Sequence, residues 1–302
     1  MKVSHHSVSY EHKTFSRKVF VLCNYTWLSL LTFISFIPIW NILSMSFSDN
    51  KYVSAGEIFL WPKGITFSAY TYILNNQAFY HALLISIERT VLGVLITMIC
   101  TILVAYPLSK SKRDFRARGY AVWFFLITML FNGGLIPWFM MVKYTGLYNT
   151  MGALVIVPAV QVFNILLLMN FIKDLPREIE ESAFLDGAGH FQLLGKIILP
   201  LSMPAIATLI LFTFVFHWNN WFDGLLFMTS KENYPMQTYL YTVLTVPDTT
   251  HMTTEEIKMF YNLNQRSIKA AEIFIATLPI LILYPYLQKY FTKGLVLGSV
   301  KG

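Results

Sequence analysis

The sequence has little charge and little cysteine. Only 13% of its 302 residues are charged, whereas 55% are apolar. With a mean hydropathy of +0.53, the chain is too apolar for a water-soluble domain of this length, and a bilayer is its expected solvent. Its two cysteines, Cys23 and Cys100, lie inside apolar runs, which excludes a disulfide framework and a cysteine-based metal site.

A nucleotide-binding phosphate loop is also missing. The nearest match begins at Gly189, but it has one residue too many between its glycines and carries Ile197 where a hydroxyl should bind Mg²⁺. The formal charge of +7 does not indicate a nucleic-acid partner, because the basic residues form short clusters between apolar runs. These clusters indicate membrane topology, and the sequence itself has no motif that would bind ATP and Mg²⁺.

Apolar runs predict an all-α membrane protein with six transmembrane helices. A helix needs about 20 mostly apolar residues to cross the hydrocarbon core. Six windows satisfy this requirement, at residues 20–43, 81–106, 120–141, 151–172, 201–227 and 270–291. Prolines inside these windows, such as Pro38, Pro137, Pro158 and Pro279, are tolerated by membrane helices.

The distribution of Lys and Arg predicts that both termini are cytoplasmic. One set of flanks carries Lys2, Lys13, Arg17, Lys18, Lys110, Lys112, Arg113, Arg116, Arg118, Lys289, Lys293 and Lys301. The first two opposite loops carry only Lys51, Lys63 and Lys143. The predicted organisation is a cytoplasmic tail (1–19), a first transmembrane helix (20–45), an extracytoplasmic loop (46–80), a five-helix core (81–291) with a cytoplasmic loop at 173–200, and a cytoplasmic C-terminal tail (292–302).

The loop 173–200 has apolar residues at helical spacing although it joins two cytoplasmic span ends. Ile179, Ala183 and Phe184 recur before Gly187, and Phe191, Leu194 and Ile198 recur after it. Two short amphipathic helices broken at Gly187 are predicted, the first starting after Pro176 and the second bending at Pro200. Periodicity alone leaves two interpretations open, a helix pair on the membrane surface and a docking element.

The same loop contains a long motif. Glu181, Ser182 and Ala183 are followed after three residues by Gly187, and after nine more by Ile197-Ile198-Leu199-Pro200. This run resembles the EAA-x3-G-x9-I-x-L-P signature of permeases in bacterial ATP-binding-cassette (ABC) importers, and only Ser182 departs from it. The resemblance implies a type I ABC importer permease fold in the cytoplasmic (inner) membrane. It also implies that this segment inserts into a cleft of an ATPase subunit, with Glu181 making a polar contact.

The C-terminal end indicates which group of importer permeases the sequence resembles. The residues that end the chain, Gly298, Ser299, Val300, Lys301 and Gly302, are similar to the glycine-rich tail of the maltose-type second-permease group of carbohydrate importers, where some tails reach the ATPase. The family implies a heterodimer with a homologous permease, an ATPase dimer and an extracytoplasmic solute-binding protein. It implies a carbohydrate cargo, no cofactor on this chain and no enzymatic activity of its own.

Polar residues inside the spans are candidates for a substrate path. The fifth window holds a cluster of amides and aromatic rings: Trp218, Asn219, Asn220, Trp221 and Asp223. A sugar offers apolar faces and hydroxyl groups that suit such a surface, whereas the alternative is an interfacial aromatic belt with amides that join helices. Glu88 and Arg89 in the second window either pair with neighbouring helices or face the path.

Three other functions remain to be weighed. An ABC permease for peptides, amino acids or another solute differs only in cargo, and the tail argues against it. A membrane-embedded enzyme would need converging catalytic groups, and no His-x-x-x-His or Gly-x-Ser-x-Gly occurs in a span. An ion-driven transporter or channel would favour carboxylates at mid-membrane, but Glu88, Asp223 and Glu272 all fall toward the outer side.

Overall fold

The computed structural model describes the backbone of residues 15–245 and 266–299, with side chains as far as residue 286 and at residue 288. In this part the regular structure is helical, apart from one isolated antiparallel bridge between Ser48 and Ile65. The helices are α1 (Phe15–Ser46), α2 (Asn50–Ser54), α3 (Ser68–Asn75), α4 (Gln77–Ser109), α5 (Arg118–Leu130), α6 (Leu135–Tyr144), α7 (Met151–Val155), α8 (Val162–Lys173), α9 (Arg177–Leu185), α10 (His190–Leu201), α11 (Met203–Asn219), α12 (Phe222–Phe227), α13 (Met236–Leu244) and α14 (Arg266–Ser299).

Three of the described helices are long and apolar enough to cross a bilayer: α1, α4 and the part of α14 from Arg266 to Tyr286. Two bent pairs satisfy the same condition together. The axes of α5 and α6 differ by 116°, and those of α10 and α11 by 81°. The described residues therefore contain three to five candidate membrane spans, and α8 is a shorter apolar helix.

The six predicted windows all fall on helices, but three of them are interrupted. The third window breaks between α5 and α6, where Gly134 has φ +88° and its amide donates to Asn132 Oδ1 at 2.8 Å. The fourth breaks between α7 and α8, in the stretch that holds Pro158. The fifth breaks after Asn219, so that α12 is a separate helix. Pro38 and Pro279 lie inside helices, as predicted.

The chain divides into two units, one of residues 1–72 and 249–274, the other of residues 73–248 and 275–302. In the first unit, α1 continues into a loop and α2, whose N-cap residue Asp49 accepts from the Lys51 amide at 2.9 Å. Ser46 Oγ lies 2.7 Å from the Tyr70 hydroxyl, and the Phe47 and Tyr70 ring centroids are 4.9 Å apart. Burial raises the pKa of Tyr70 above its ordinary value.

In the second unit α4 is central, since α8 and α11 both lie along it. Asn76 caps α4 by accepting from the amides of Ala78 and Phe79 at 3.1 and 3.3 Å. A buried core joins the C-terminal half of α4, α8 and the start of α11 to α9 and α10; its members include Met98, Ala105, Tyr106, Leu108, Ile165, Leu168, Ile172, Ala183, Leu193, Leu194, Ile198 and Leu209. This core positions the loop 173–200 against the membrane helices.

Candidate functional site

The segment 173–200 forms two helices joined at Gly187, as predicted. Helix α9 begins after Pro176 and carries Glu178 and Glu180 in its first turn, where a carboxylate suits the positive end of the helix dipole. Gly187 has φ +81°, in the left-handed region that glycine adopts without strain. The Ala188 amide donates to the Ala183 carbonyl at 3.0 Å, which closes the end of α9.

The inward face of this segment joins the buried core. Ala183, Leu193, Leu194 and Ile198 are all buried and pack against α4 and α8. Helix α10 contains a π-helical turn, Leu194–Ile198. It ends at Leu201, one residue before the 81° bend into α11. The prediction of an amphipathic helix pair that bends close to Pro200 is confirmed.

The outward face exposes large apolar side chains at the Gly187 turn. Leu185 is 89% exposed and Phe191 84%, while Phe184 is partly exposed beside the His190 ring, with a centroid distance of 5.1 Å. The sequence pattern groups Phe191 with Leu194 and Ile198 in the second helix. Leu194 and Ile198 reach the core, whereas Phe191 lies in the first turn of α10 and is exposed.

The motif residues divide between the two faces. Glu181, Ser182, Gly187 and Pro200 are exposed, and the Ser182 hydroxyl donates to the Ile179 carbonyl at 3.1 Å. Ile197 and Leu199 are half-buried and pack against the core. The motif therefore combines an exposed polar stretch at the end of α9 with an anchored stretch in α10. The start of the rejected phosphate loop, Gly189, lies at the N-terminus of α10.

Two side-chain contacts fasten the segment to the end of α4. Lys110 Nζ donates to Glu180 Oε1 at 2.7 Å and lies 4.2 Å from the centroid of the Tyr106 ring. The Tyr106 hydroxyl in turn lies 3.0 Å from His190 Nδ1. Lys110 is almost completely buried and Glu180 largely so. This Lys110–Glu180 pair links α9 to the residue that follows α4.

The turn after α4 is built from its own polar side chains. The Ser111 hydroxyl donates to Asp114 Oδ2 at 2.7 Å. That hydrogen bond lowers the pKa of Asp114 below its ordinary value, helped by the positive charges of Lys110 and Arg177. Arg118 Nε donates to the Leu108 carbonyl at 2.6 Å, which joins the start of α5 to the end of α4.

A second polar region surrounds the break between α11 and α12. Arg89 of α4 is fully buried and forms an ion pair with Asp223 of α12, which is also buried. Arg89 Nη1 donates to the Asn220 carbonyl at 2.8 Å, and Asn220 Nδ2 donates to Asp223 Oδ2 at 3.0 Å. The interpretation that Arg89 pairs with a neighbouring helix is confirmed.

The five residues predicted for a substrate path do not share one environment. Trp218 is buried, and its Nε1 donates to the Ala276 carbonyl at 2.9 Å. Asp223 is buried in the ion pair described above. Asn219 and Trp221 are exposed, and Asn220 is half-buried. Trp221 stacks on Tyr241 at a centroid distance of 4.1 Å, leaving both rings partly exposed.

A cavity of about 220 Å³ lies beside the N-terminal half of α4. Polar groups of Glu88, Asn149 and Asn233 share its wall with the apolar side chains of Ile85, Met151, Leu154 and Met228. Asn149 has φ +59°, and its Oδ1 accepts from the Thr229 amide at 3.1 Å. In the part of the chain whose side chains are described, no three His, Cys, Asp or Glu side chains come together as metal ligands.

Sequence reasoning missed Lys110, Tyr106, His190 and Tyr241. Lys110 had been assigned only to the cytoplasmic charge cluster, although it lies 70 residues from its partner Glu180. In the predicted C-terminal tail, Gly298 and Ser299 form the end of α14. Val300, Lys301 and Gly302 lie outside the described residues.

Comparison with known proteins gives consistent matches over nearly the whole chain. Residues 91–296 match the family model described as binding-protein-dependent transport system inner membrane component. The chain is 38% identical to protein LplC of Bacillus subtilis (strain 168), over 96% of this chain and 98% of that protein. It is 35% identical to the polygalacturonan/rhamnogalacturonan transport system permease protein YtcP of the same organism, over 94% of this chain and 99% of that protein.

A solved structure is similar as well. It is the crystal structure of a bacterial ABC transporter involved in the import of the acidic polysaccharide alginate. One of its chains superimposes with a TM-score of 0.82 and 32% sequence identity, and the match covers 92% of this chain and 98% of that chain. The similarity therefore extends to the arrangement of the helices as well as to the sequence.

Proposed function

This chain belongs to the family of binding-protein-dependent transport system inner membrane components, the permease subunits of ABC importers, and we propose that it imports an oligosaccharide or polysaccharide fragment. It is a multi-spanning inner-membrane transport subunit and not an enzyme. Two further parts belong to the proposal. Residues 173–200 dock the ATPase that supplies the energy, and the exposed residues at the break after α11 line the sugar path.

The exposed apolar turn at Gly187 is the observation that carries the docking proposal. Leu185 and Phe191 expose most of their surface on a cytoplasmic segment whose opposite face is anchored in the core. An apolar patch of this kind is typical of a surface that another protein covers. Glu181 is the first residue of the exposed polar stretch at the end of α9, in the position that the family motif assigns to a polar contact with the ATPase.

The attachment of the segment to the membrane helices supports a role in coupling. Because Lys110 binds Glu180 and Tyr106 contacts His190, a displacement of α9 and the start of α10 also displaces the end of α4. The core residues Leu194 and Ile198 fasten α10 to the same region. Movement of the ATPase would thus reach α4 through side chains and α11 through the chain itself.

The carbohydrate cargo is supported by the relatives and by one surface. YtcP and the alginate transporter bear names that state a carbohydrate substrate. In this chain, Trp221 and Tyr241 present a stacked, partly exposed aromatic pair beside the exposed amide of Asn219. Aromatic faces and amides suit the ring faces and hydroxyls of a sugar. Trp218 and Asp223 are buried, so their part in the proposed path is to position Asn219, Asn220 and Trp221.

The assembly completes the proposal. A binding-protein-dependent permease works with an extracytoplasmic solute-binding protein, and we infer a second homologous permease and an ATPase dimer as the other partners. The chain would cross the membrane six times with both termini in the cytoplasm, in a type I importer fold, and the tail 298–302 would contact the ATPase. A permease for peptides or amino acids is the alternative. In that case the assembled transporter would take up a peptide or an amino acid instead of a sugar, and the same mutations would reduce that uptake.

The docking proposal is tested by changing Leu185 and Phe191 together to alanine in the assembled transporter. Burying each side chain in an interface contributes roughly 1.5–3 kcal/mol, so ATP-dependent sugar uptake and substrate-stimulated ATP hydrolysis should fall by at least about tenfold. Glu181→Lys should act in the same direction. The matched control is Leu74→Ala, which removes an equally exposed leucine from α3.

The protein must remain in the membrane in every variant, as shown by immunodetection in washed membranes. Normal ATP-dependent uptake by both the double alanine variant and Glu181→Lys would refute docking at this turn. Loss of uptake in the Leu74→Ala control alone would also contradict it, because the sensitive surface would then be extracytoplasmic.

A further inference from the structure

The loop that follows α2 exposes an unusual number of large apolar side chains. Residues 57–67, which we name the aromatic loop, include Phe59, Trp61, Ile65 and Phe67, each exposed over 64–72% of its surface. Four such side chains in eleven residues form a patch larger than the scattered apolar residues of an ordinary surface loop. The loop belongs to the same unit as α1, and its neighbours in the structure are the last turns of that helix.

The carbonyl groups of the aromatic loop are bound by side chains of α1 rather than left to water. Trp40 Nε1 and Ser44 Oγ donate to the Leu60 carbonyl at 2.7 and 2.8 Å. Asn41 Nδ2 donates to the carbonyl of Phe59 at 2.6 Å and to that of Ile58 at 3.3 Å. Three consecutive carbonyls are thus satisfied within the protein. This is the condition for irregular backbone to enter a region that is poor in water.

An ion pair and a backbone hydrogen bond close the loop on itself and against the end of α1. Lys63 Nζ donates to Glu57 Oε2 at 2.9 Å, and both side chains are about half-exposed. The Thr66 amide donates to the Phe47 carbonyl at 2.9 Å beside the Ser48–Ile65 bridge. The charged pair therefore closes residues 57–63 on themselves, with Phe59 and Trp61 between the two charges in sequence.

The depth of the loop follows from the length of α1. Its 32 residues extend about 48 Å, whereas the hydrocarbon core is about 30 Å thick. Trp40, Asn41 and Ser44 lie in the last two turns, so they fall at the outer membrane–water interface when the apolar middle of α1 spans the core. Tryptophan rings favour that zone. Trp61 packs edge to face on Trp40, with centroids 6.1 Å apart.

We propose that the aromatic loop lies in the outer interface of the lipid bilayer and anchors the extracytoplasmic end of α1. The exposed rings of Phe59 and Trp61 insert among the upper acyl chains, and the Glu57–Lys63 pair remains at the level of the headgroups. A lipid surface is the occupant that the structure favours, because the loop is held at the end of a 32-residue apolar helix, its carbonyls already have donors within the protein, and Trp61 pairs with Trp40 at that end.

The test uses a fluorescent label at single positions of the loop. In a full-length chain whose Cys23 and Cys100 are changed to serine, Phe59→Cys is labelled with an NBD dye and the assembled importer is placed in phosphatidylethanolamine–phosphatidylglycerol nanodiscs. We expect strong quenching by lipids that carry a nitroxide on the upper acyl chain and little quenching by aqueous iodide. The matched control is Lys63→Cys, in the same loop, whose label at the level of the headgroups should be quenched less by that nitroxide and more by iodide.

Two outcomes would overturn the proposal. In the first, the label at 59 is quenched by iodide as strongly as the label at 63. In the second, it becomes shielded only when the solute-binding protein is added, which would make the patch a protein-docking surface.

A further variant tests the role of the carbonyl contacts. Asn41→Leu leaves the Phe59 and Ile58 carbonyls without their donor, and iodide quenching at position 59 should rise by about twofold or more. Unchanged quenching in Asn41→Leu would show that these contacts do not hold the loop in the interface.

Discussion

The Lys110–Glu180 pair makes a prediction that can be worked through quantitatively. If this pair joins residues 173–200 to α4, then Glu180→Lys and Lys110→Glu should each separate that segment from α4. The exchange of both charges in one chain should rejoin them. The carboxylate and the ammonium are 2.7 Å apart, and neither is freely exposed.

The expected size of the effect lies between two known limits. Exposed ion pairs contribute about 0–1 kcal/mol, whereas removing one partner of a fully buried pair costs about 3–5 kcal/mol. A largely buried Lys110 with a less buried Glu180 places the pair at about 2 kcal/mol, a factor of roughly 30 in the equilibrium between the joined and separated states. Contact of Lys110 with the Tyr106 ring adds to the penalty for Lys110→Glu, so this variant should be the more severe.

The assay is the number of sugar molecules imported per ATP hydrolysed, measured in proteoliposomes. Each single variant should lower this ratio by about tenfold or more, and the double exchange should recover most of it, since the attraction is restored with opposite polarity. Glu178→Lys is the matched control, because Glu178 is an exposed carboxylate on the same helix. An unchanged ratio in both single variants would refute the role of the pair, as would a double exchange that is no better than either single variant.

Two further predictions concern stability and conformation. Arg89→Met should lower the free energy of unfolding by about 3–5 kcal/mol because it leaves the Asp223 carboxylate buried and unpaired, and the double change Arg89→Met, Asp223→Leu should restore most of it, as measured by thermal unfolding in lipid nanodiscs. A double variant as unstable as the single one would contradict this account. Gly187→Ala should reduce ATP-dependent uptake more than Gly187→Asn, because the left-handed conformation at φ +81° costs alanine about 1–2 kcal/mol and asparagine tolerates it better. No atom would touch the added Cβ, so equal effects of the two changes would mean that conformation is not the cause.

Local patterns in the sequence were sufficient to predict the two helices of residues 173–200. Pro176, Gly187 and the apolar spacing between them act within a few residues, so the two helices and their break follow from the sequence alone. Apolar windows likewise located α1, α4 and α14. The break between α5 and α6 was missed, although Asn132, Gly133 and Gly134 are a turn signal that an apolar average conceals.

Contacts between distant residues could not be derived in this way. Arg89 and Asp223 were recognised separately as costly charges in a membrane, but nothing in a single sequence states that residues 134 positions apart form one ion pair. The same limit applies to Lys110 and Glu180. Apolar spacing likewise does not state which members of a face are buried, since Phe191 repeats with Leu194 and Ile198 and is nevertheless exposed.

The π-helical turn Leu194–Ile198 has a consequence for chain length. A single π turn is an α-helix that accommodates one additional residue while the helices on either side keep their faces. One of the nine residues between Gly187 and Ile197 could therefore be deleted while the helix remains intact. A one-residue deletion in this turn would relax α10 to regular α-helix and leave Pro200 facing as before, whereas a deletion in α9 would rotate everything beyond it by about 100°. Natural or designed variants of this segment should tolerate a change of length at that one turn and at few other places.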